Sequence, residues 1–213
     1  MKQTNPWNTI PLDDYEQHMQ HQEVAQAQLI SALTNKYLTK YEPENILFLG
    51  ISGGNGLEHI NANTAKRICG IDINQRYLEE TKKRFGEKLE QLELFNLDIS
   101  ESTQSVIKAD LVWAALIFEY VDLDKALGFV DNNMTESAKL IITIQSNNGA
   151  GSVSPTGIES IKSVKDIFKI VNKEELQEVA SKFGLELTAS EENGLPNGKS
   201  LTTLVFQRAE FLS

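Results

Sequence analysis

The chain has 213 residues, 40% hydrophobic and 23% charged, with a net charge of −10: enough apolar material for one core, and neither a disordered nor a fibrous composition. So acidic a chain, without a Lys/Arg cluster, lacks the basic footprint that duplex nucleic acid or an anionic membrane surface requires. The single cysteine, Cys69, excludes an intrachain disulfide and a cysteine-based zinc site.

The opening MKQTNPWNTIPLDDYEQ has no apolar stretch after its lysine, so it is not read as a secretory signal. No run approaches the roughly 18 apolar residues of a membrane span, and a soluble cytoplasmic protein is expected. Residues 1–12, with Pro6 and Pro11, are expected to be irregular. Helical spacing then runs from about Asp13 to Leu38, with Leu29, Leu33 and Tyr37 at i, i+4, i+8, until Glu42-Pro43 breaks it. The division expected is an arm and helix over 1–42, capping a body over 43–213.

From Asn45 strands and helices alternate. Strands are expected at Asn45–Gly50, Arg67–Asp72, Leu92–Leu97, Asp110–Leu116 and Lys139–Gln145. Helices are expected at Asn55–Ala62, Asn74–Phe85 and Asp122–Met134, with a short one near Glu101–Ile107. The turn-rich stretch from Ser146 to Ile161 follows, then a helix over Lys173–Phe183 and a hairpin of Leu185–Ser190 and Leu201–Gln207 around ENGLPNGK. Such alternation of continuous apolar strands with helices predicts an α/β fold, a doubly wound, mostly parallel sheet with helices on both faces.

The stretch Ile46–Gly56, ILFLGISGGNG, ends a strand in a glycine-rich turn. Its Gly50-Ile51-Ser52-Gly53-Gly54 fits the G-x-S-x-G of a serine nucleophile. That chemistry needs a histidine base late in the chain, and the three histidines are His18, His21 and His59. The dinucleotide fingerprint G-x-G-x-x-G also fails: from Gly50 the second glycine is Ser52 and the last position Asn55; from Gly54 the last position is His59. No Gly-Lys-Ser/Thr follows to make a Walker loop.

Ile46–Gly54 resembles motif I of the class I S-adenosylmethionine-dependent methyltransferases, and the resemblance continues in order over roughly 40–210. Asp72 ends the second strand, Asn96-Leu97-Asp98-Ile99 follows the third, and Asp110–Val121 is similar to the family's fourth-strand motif. The resemblance implies a Rossmann-like sheet of seven strands with an antiparallel C-terminal hairpin strand, and S-adenosylmethionine as cofactor with S-adenosylhomocysteine as product. It assigns cofactor contacts to Gly50, Ile51, Ser52, Gly54, Asp72, Ile73, Asp98, Ile99, Ala114 and Leu116. Asp72 would take the ribose hydroxyls and Asp98 the adenine, while the helix start after the glycine turn would suit the cofactor's carboxylate. Phe48 stands where the family carries an acid, and Ser52 where it carries a glycine.

Candidate residues toward a small-molecule acceptor are Tyr120, Glu119, Tyr15 and His18; no metal is expected, since His18-x-x-His21 lacks a third ligand. Trp7 would anchor the arm, and Ser146–Ile161 would form an acceptor-facing lid. A binding protein on the same fold and a nicotinamide oxidoreductase are the alternatives. Monomer and homodimer are both compatible with the sequence.

Overall fold

The side chains of each buried strand divide between two cores, which is why the runs read as continuously apolar. In the computed structural model, which describes residues 5–209, the strands are β1 (Asn45–Leu49), β2 (Arg67–Asp72), β3 (Leu92–Asn96), β4 (Ala109–Ala115), β5 (Met134–Ser146), β6 (Leu185–Gly194) and β7 (Ser200–Arg208). Ile46 and Phe48 of β1 join one apolar cluster, and Leu47 and Leu49 join the other. Leu111 and Trp113 of β4 likewise oppose Val112 and Ala114, as the two-residue repeat of a strand requires.

The seven strands form one sheet in the order β3-β2-β1-β4-β5-β7-β6. β1 pairs in parallel with β2 and β4, β2 with β3, and β4 with β5; β7 runs antiparallel to β5 and β6. The expected α/β sheet with its antiparallel hairpin strand is therefore present. Helices α2 (Gln26–Tyr41) and α3 (Gln75–Phe85) contribute Ile30, Leu33 and Leu78 to one face. Helices α4 (Leu123–Asn133) and α5 (Lys173–Ser181) contribute Leu127, Val130 and Leu176 to the other. Side-chain oxygens of Asn74, Asp122 and Asn172 cap α3, α4 and α5, each meeting an otherwise unpaired N–H of a first turn.

Three expected helices differ. The leading one divides into α1 (Leu12–Gln20) and α2, separated at His21–Ala25, where Ala25 takes a left-handed φ of 51°. The helix expected over 55–62 is a single 3-10 turn, Leu57–His59. Gly54 and Gly56 adopt φ of 89° and 98° there, conformations that no right-handed helix contains. Residues 101–107 form a turn and an irregular stretch instead of a helix; the Asn133 side chain accepts from the N–H groups of Val106 and Ile107 at 2.7 and 3.2 Å and satisfies that backbone.

Candidate functional site

The strand order reverses between β1 and β4, and a cleft opens over the carboxyl ends there, where open α/β sheets bind ligands. The space the cleft spans, open solvent at the mouth included, is about 1190 Å³. The glycine turn forms one side. Gly50 has φ 67°, and a Cβ there would stand 3.1 Å from Ile117. Ser52, at φ 51°, is held in a strained conformation. Its N–H donates to Asp72 Oδ2 at 2.9 Å, and Asn74 N–H donates to Oδ1 at 2.8 Å. Asp72 thus ties the turn to the end of β2. Burial raises its pKa, and the backbone N–H groups around it work in the other direction. Thr81 on α3 donates to the Ser52 carbonyl at 2.6 Å, whereas Ser52 Oγ is buried near the Tyr15 hydroxyl, without a hydrogen bond of good geometry among the described residues.

Asp98 stands exposed at the mouth, its Oδ1 accepting from Ser100 N–H at 2.9 Å, with Ile99 buried beside it. Past β4 the chain turns at Leu116, φ 55°, and enters the 3-10 turn Phe118–Tyr120. Glu119 is fully buried; its Oε1 accepts from Gln145 N–H at 2.6 Å and its Oε2 has no partner among the described residues. Burial pushes its pKa up to about 7. Gln26 donates to Gln145 Oε1 at 2.6 Å, fastening the start of α2 to the end of β5.

The roof comes from the two ends of the fold. Trp7 packs edge-on against Tyr15 and Tyr120, with centroids 5.7 and 5.1 Å apart, and Tyr120 meets Phe168 at 5.8 Å. Asn74 Nδ2 donates to the Trp7 carbonyl at 2.8 Å, and the Tyr77 hydroxyl to the Ile10 carbonyl at 3.0 Å. Helix α1 meets the segment after β5 through His18 Nδ1 and Thr156 Oγ1 at 2.8 Å and through Ser160 Oγ, which donates to Asp14 Oδ2 at 2.6 Å. Burial first, then Lys199 and His21, lower the His18 pKa to about 4, so its ring is neutral at pH 7. Burial raises the Tyr15 and Tyr120 hydroxyl pKa values.

Gly50, Ser52, Asp72, Ile73, Asp98, Ile99, Leu116, Tyr15, His18, Glu119 and Tyr120 all line this cleft. Three expected residues do not. The Ile51 side chain enters the core over Gly70, where a Cβ would overlap it. Gly54 lies behind the turn against Phe85, in a separate hollow with Arg84. Ala114 is 1% exposed in the core beneath β4; strand alternation leaves Ala115 and Leu116 to line the cleft. The helix start expected to face a carboxylate is absent, since only the 3-10 turn follows the glycines. Phe48 is 2% exposed in the apolar cluster that also holds Trp113, its partner on β4, Leu57 and Leu78, which accounts for an apolar residue at that position. From Ser146–Ile161, Ser152, Val153 and Ile161 reach the cleft. Tyr77, Gln26, Gln145 and Phe168 also line it. No spacing marks these four; the one available signal was Gln145, a polar residue ending an apolar strand.

No protein-family model and no curated protein matches the sequence. Solved structures match in shape. Magnesium protoporphyrin IX methyltransferase (ChlM) from Synechocystis PCC 6803 with bound SAM superposes with a TM-score of 0.68 at 12% identity, over 98% of this chain and 100% of that one. An S-adenosylmethionine-dependent methyltransferase from Clostridium acetobutylicum ATCC 824 gives 0.66 at 14%, over 86% and 92%. The [4+2]-cyclase SpnF gives 0.67 at 14%, over 85% and 82%. Sheet order, antiparallel β7 and these superpositions agree: the chain has the Rossmann-like fold of the class I S-adenosylmethionine-dependent methyltransferases.

Proposed function

We propose that this protein is an S-adenosylmethionine-dependent methyltransferase acting on a small-molecule acceptor. The observation that carries the reading is Asp72, at the end of β2, holding the strained glycine turn by two backbone hydrogen bonds while lining the cleft. Its carboxylate oxygens accept from the chain on one side and retain lone pairs for ribose hydroxyls on the other. Gly50 lets backbone approach a ligand without a Cβ, and the buried Ser52 Oγ offers a hydrogen bond to its amino-acid portion. Asp98 and Ile99 supply an acceptor and an apolar surface for an adenine ring. When bound, the cofactor supplies an electrophilic methyl group; the chain's residues orient it, exclude water and receive the acceptor.

Titration calorimetry with S-adenosylhomocysteine, S-adenosylmethionine and NADH tests the reading. Micromolar binding of the adenosyl ligands and none of NADH is expected; no binding of either adenosyl ligand would sink it. A second reading is a cofactor-binding protein with different or no methyl chemistry, supported by the fold shared with a [4+2]-cyclase, since one fold hosts many chemistries. Turnover of S-adenosylmethionine with an acceptor panel separates the two.

A further inference from the structure

Among the described residues, the cleft is lined by one buried carboxyl group, Glu119, with no basic side chain to neutralise it. Glu119 has no basic side chain beside it among the described residues, and its Oε2 is buried without a partner. Among the described residues no Lys or Arg lines the cleft, whereas Asp72 and Asp98 do. His18, which lines it, is neutral at pH 7. Lys199, the buried cation nearby, directs its Nζ to the Ser152 carbonyl at 2.9 Å. Trp7, Tyr120 and Phe168, packed edge to face, line the same cleft. Aromatic surface and a desolvated carboxylate both favour an organic cation, and a phosphate or carboxylate acceptor would meet no Lys or Arg among the described lining residues.

Resting on the methyltransferase reading above, we propose that the acceptor is an amine with an apolar body, held as its ammonium by Glu119 Oε2 and the aromatic wall of Trp7, Tyr120 and Phe168. Asp72 and Asp98 are accounted for by the nucleoside, which leaves Glu119 for the acceptor. Burial alone holds the Glu119 carboxyl up at about 7, so an arriving ammonium favours its ionised form. The ammonium then returns one proton to Oε2. The freed nitrogen lone pair forms the new N–C bond, and the C–S bonding pair leaves on sulfur. The products are a methylated ammonium, a neutral thioether and protonated Glu119, and the charge balances.

The test uses the full chain saturated with S-adenosylhomocysteine. Phenethylamine, hexylamine and cyclohexylmethylamine are titrated by calorimetry against the alcohols and carboxylic acids of the same skeletons. Amines are expected to bind at least about tenfold tighter than either counterpart, and Glu119→Gln to remove that preference. S-adenosylhomocysteine affinity is expected to be the same in Glu119→Gln and the parent. Phe168→Ala, on a half-buried side chain, is the second variant and is expected to weaken amines about threefold. Equal binding of alcohols or acids, no binding of any amine, or unchanged amine affinity in Glu119→Gln overturns the proposal. So does a parallel loss of S-adenosylhomocysteine affinity, which would assign Glu119 to the cofactor's own ammonium. Failure of the parent to bind S-adenosylhomocysteine instead defeats the methyltransferase reading and is visible before any amine is added.

Discussion

The glycine-turn side of the cleft and its roof are held by different kinds of contact. On the turn side, one carboxylate, Asp72, accepts backbone N–H groups of Ser52 and Asn74, 20 and 2 positions away, beside strands buried on both faces. On the roof, side chains join segments far apart in the chain: His18 to Thr156 across 138 positions, Asp14 to Ser160 across 146, and Gln26 to Gln145 across 119. The turn side is part of the global core. The roof rests on a small apolar cluster, Ile10, Ile161 and Val164, and a few side-chain bonds, so local opening costs less there than global unfolding. Under the proposed function, such a division would let a rigid surface set cofactor geometry while a looser one admits the acceptor.

Substitutions on the two sides should therefore differ in kind. The largest effect is expected from Phe48→Asp, which restores the acid that motif I usually carries. Placing an unpaired charge among Trp113, Leu57 and Leu78 should cost more than about 4 kcal/mol, read as loss of the cooperative thermal transition; a stable Phe48→Asp protein would overturn the account of this position. Asp72→Ala strands two backbone N–H groups, at about 1–3 kcal/mol each, and should lower S-adenosylhomocysteine affinity by about 100-fold or more, measured by calorimetry. Comparable affinity in the variant would remove Asp72 from the site.

Glu119 sits where the two regions meet, and its effect should appear as a pH slope. Its ordinary pKa of 4.5 is raised to about 7 in the folded protein. The folded state therefore binds more protons than the unfolded one between those values. Stability from the neutral carboxyl is fully present below about 4.5 and is lost as pH rises through 7. Glu119→Gln should remove a slope worth on the order of 2–3 kcal/mol over that window. Denaturant melts of parent and variant at pH 4.5 and 8 measure the difference, and parallel behaviour would refute it. The smallest effect is expected on the roof: His18→Ala should cost only about 1 kcal/mol globally while raising amide exchange over residues 147–166. Exchange that rises first around the glycine turn would reverse the assignment of rigid and mobile sides.

Much of the turn side was legible because its signals are local. An apolar run ending in Gly50, and another ending in Asp72, report strand, turn and acceptor within a few residues, since strand burial and glycine's left-handed freedom act at that range. The same local reading misjudged Ala114 by one residue, because alternation makes each position all or nothing. It also expected a helix at 55–62 from Leu57 and Ile60, where the glycines before them hold φ values no helix allows. Phe48 looked like a missing acid until its packing was visible. The roof had no comparable signature. Phe168, Gln26 and Gln145 carry no motif, and they meet only because the strand order brings the ends of β4 and β5 beneath α1 and α2. Chain-local physics thus settled which segments are strands and which of their ends border the cleft. Which carboxyl is buried without a counter-charge, and which aromatic rings stand around it, depended on long-range packing that no pattern in the chain encodes.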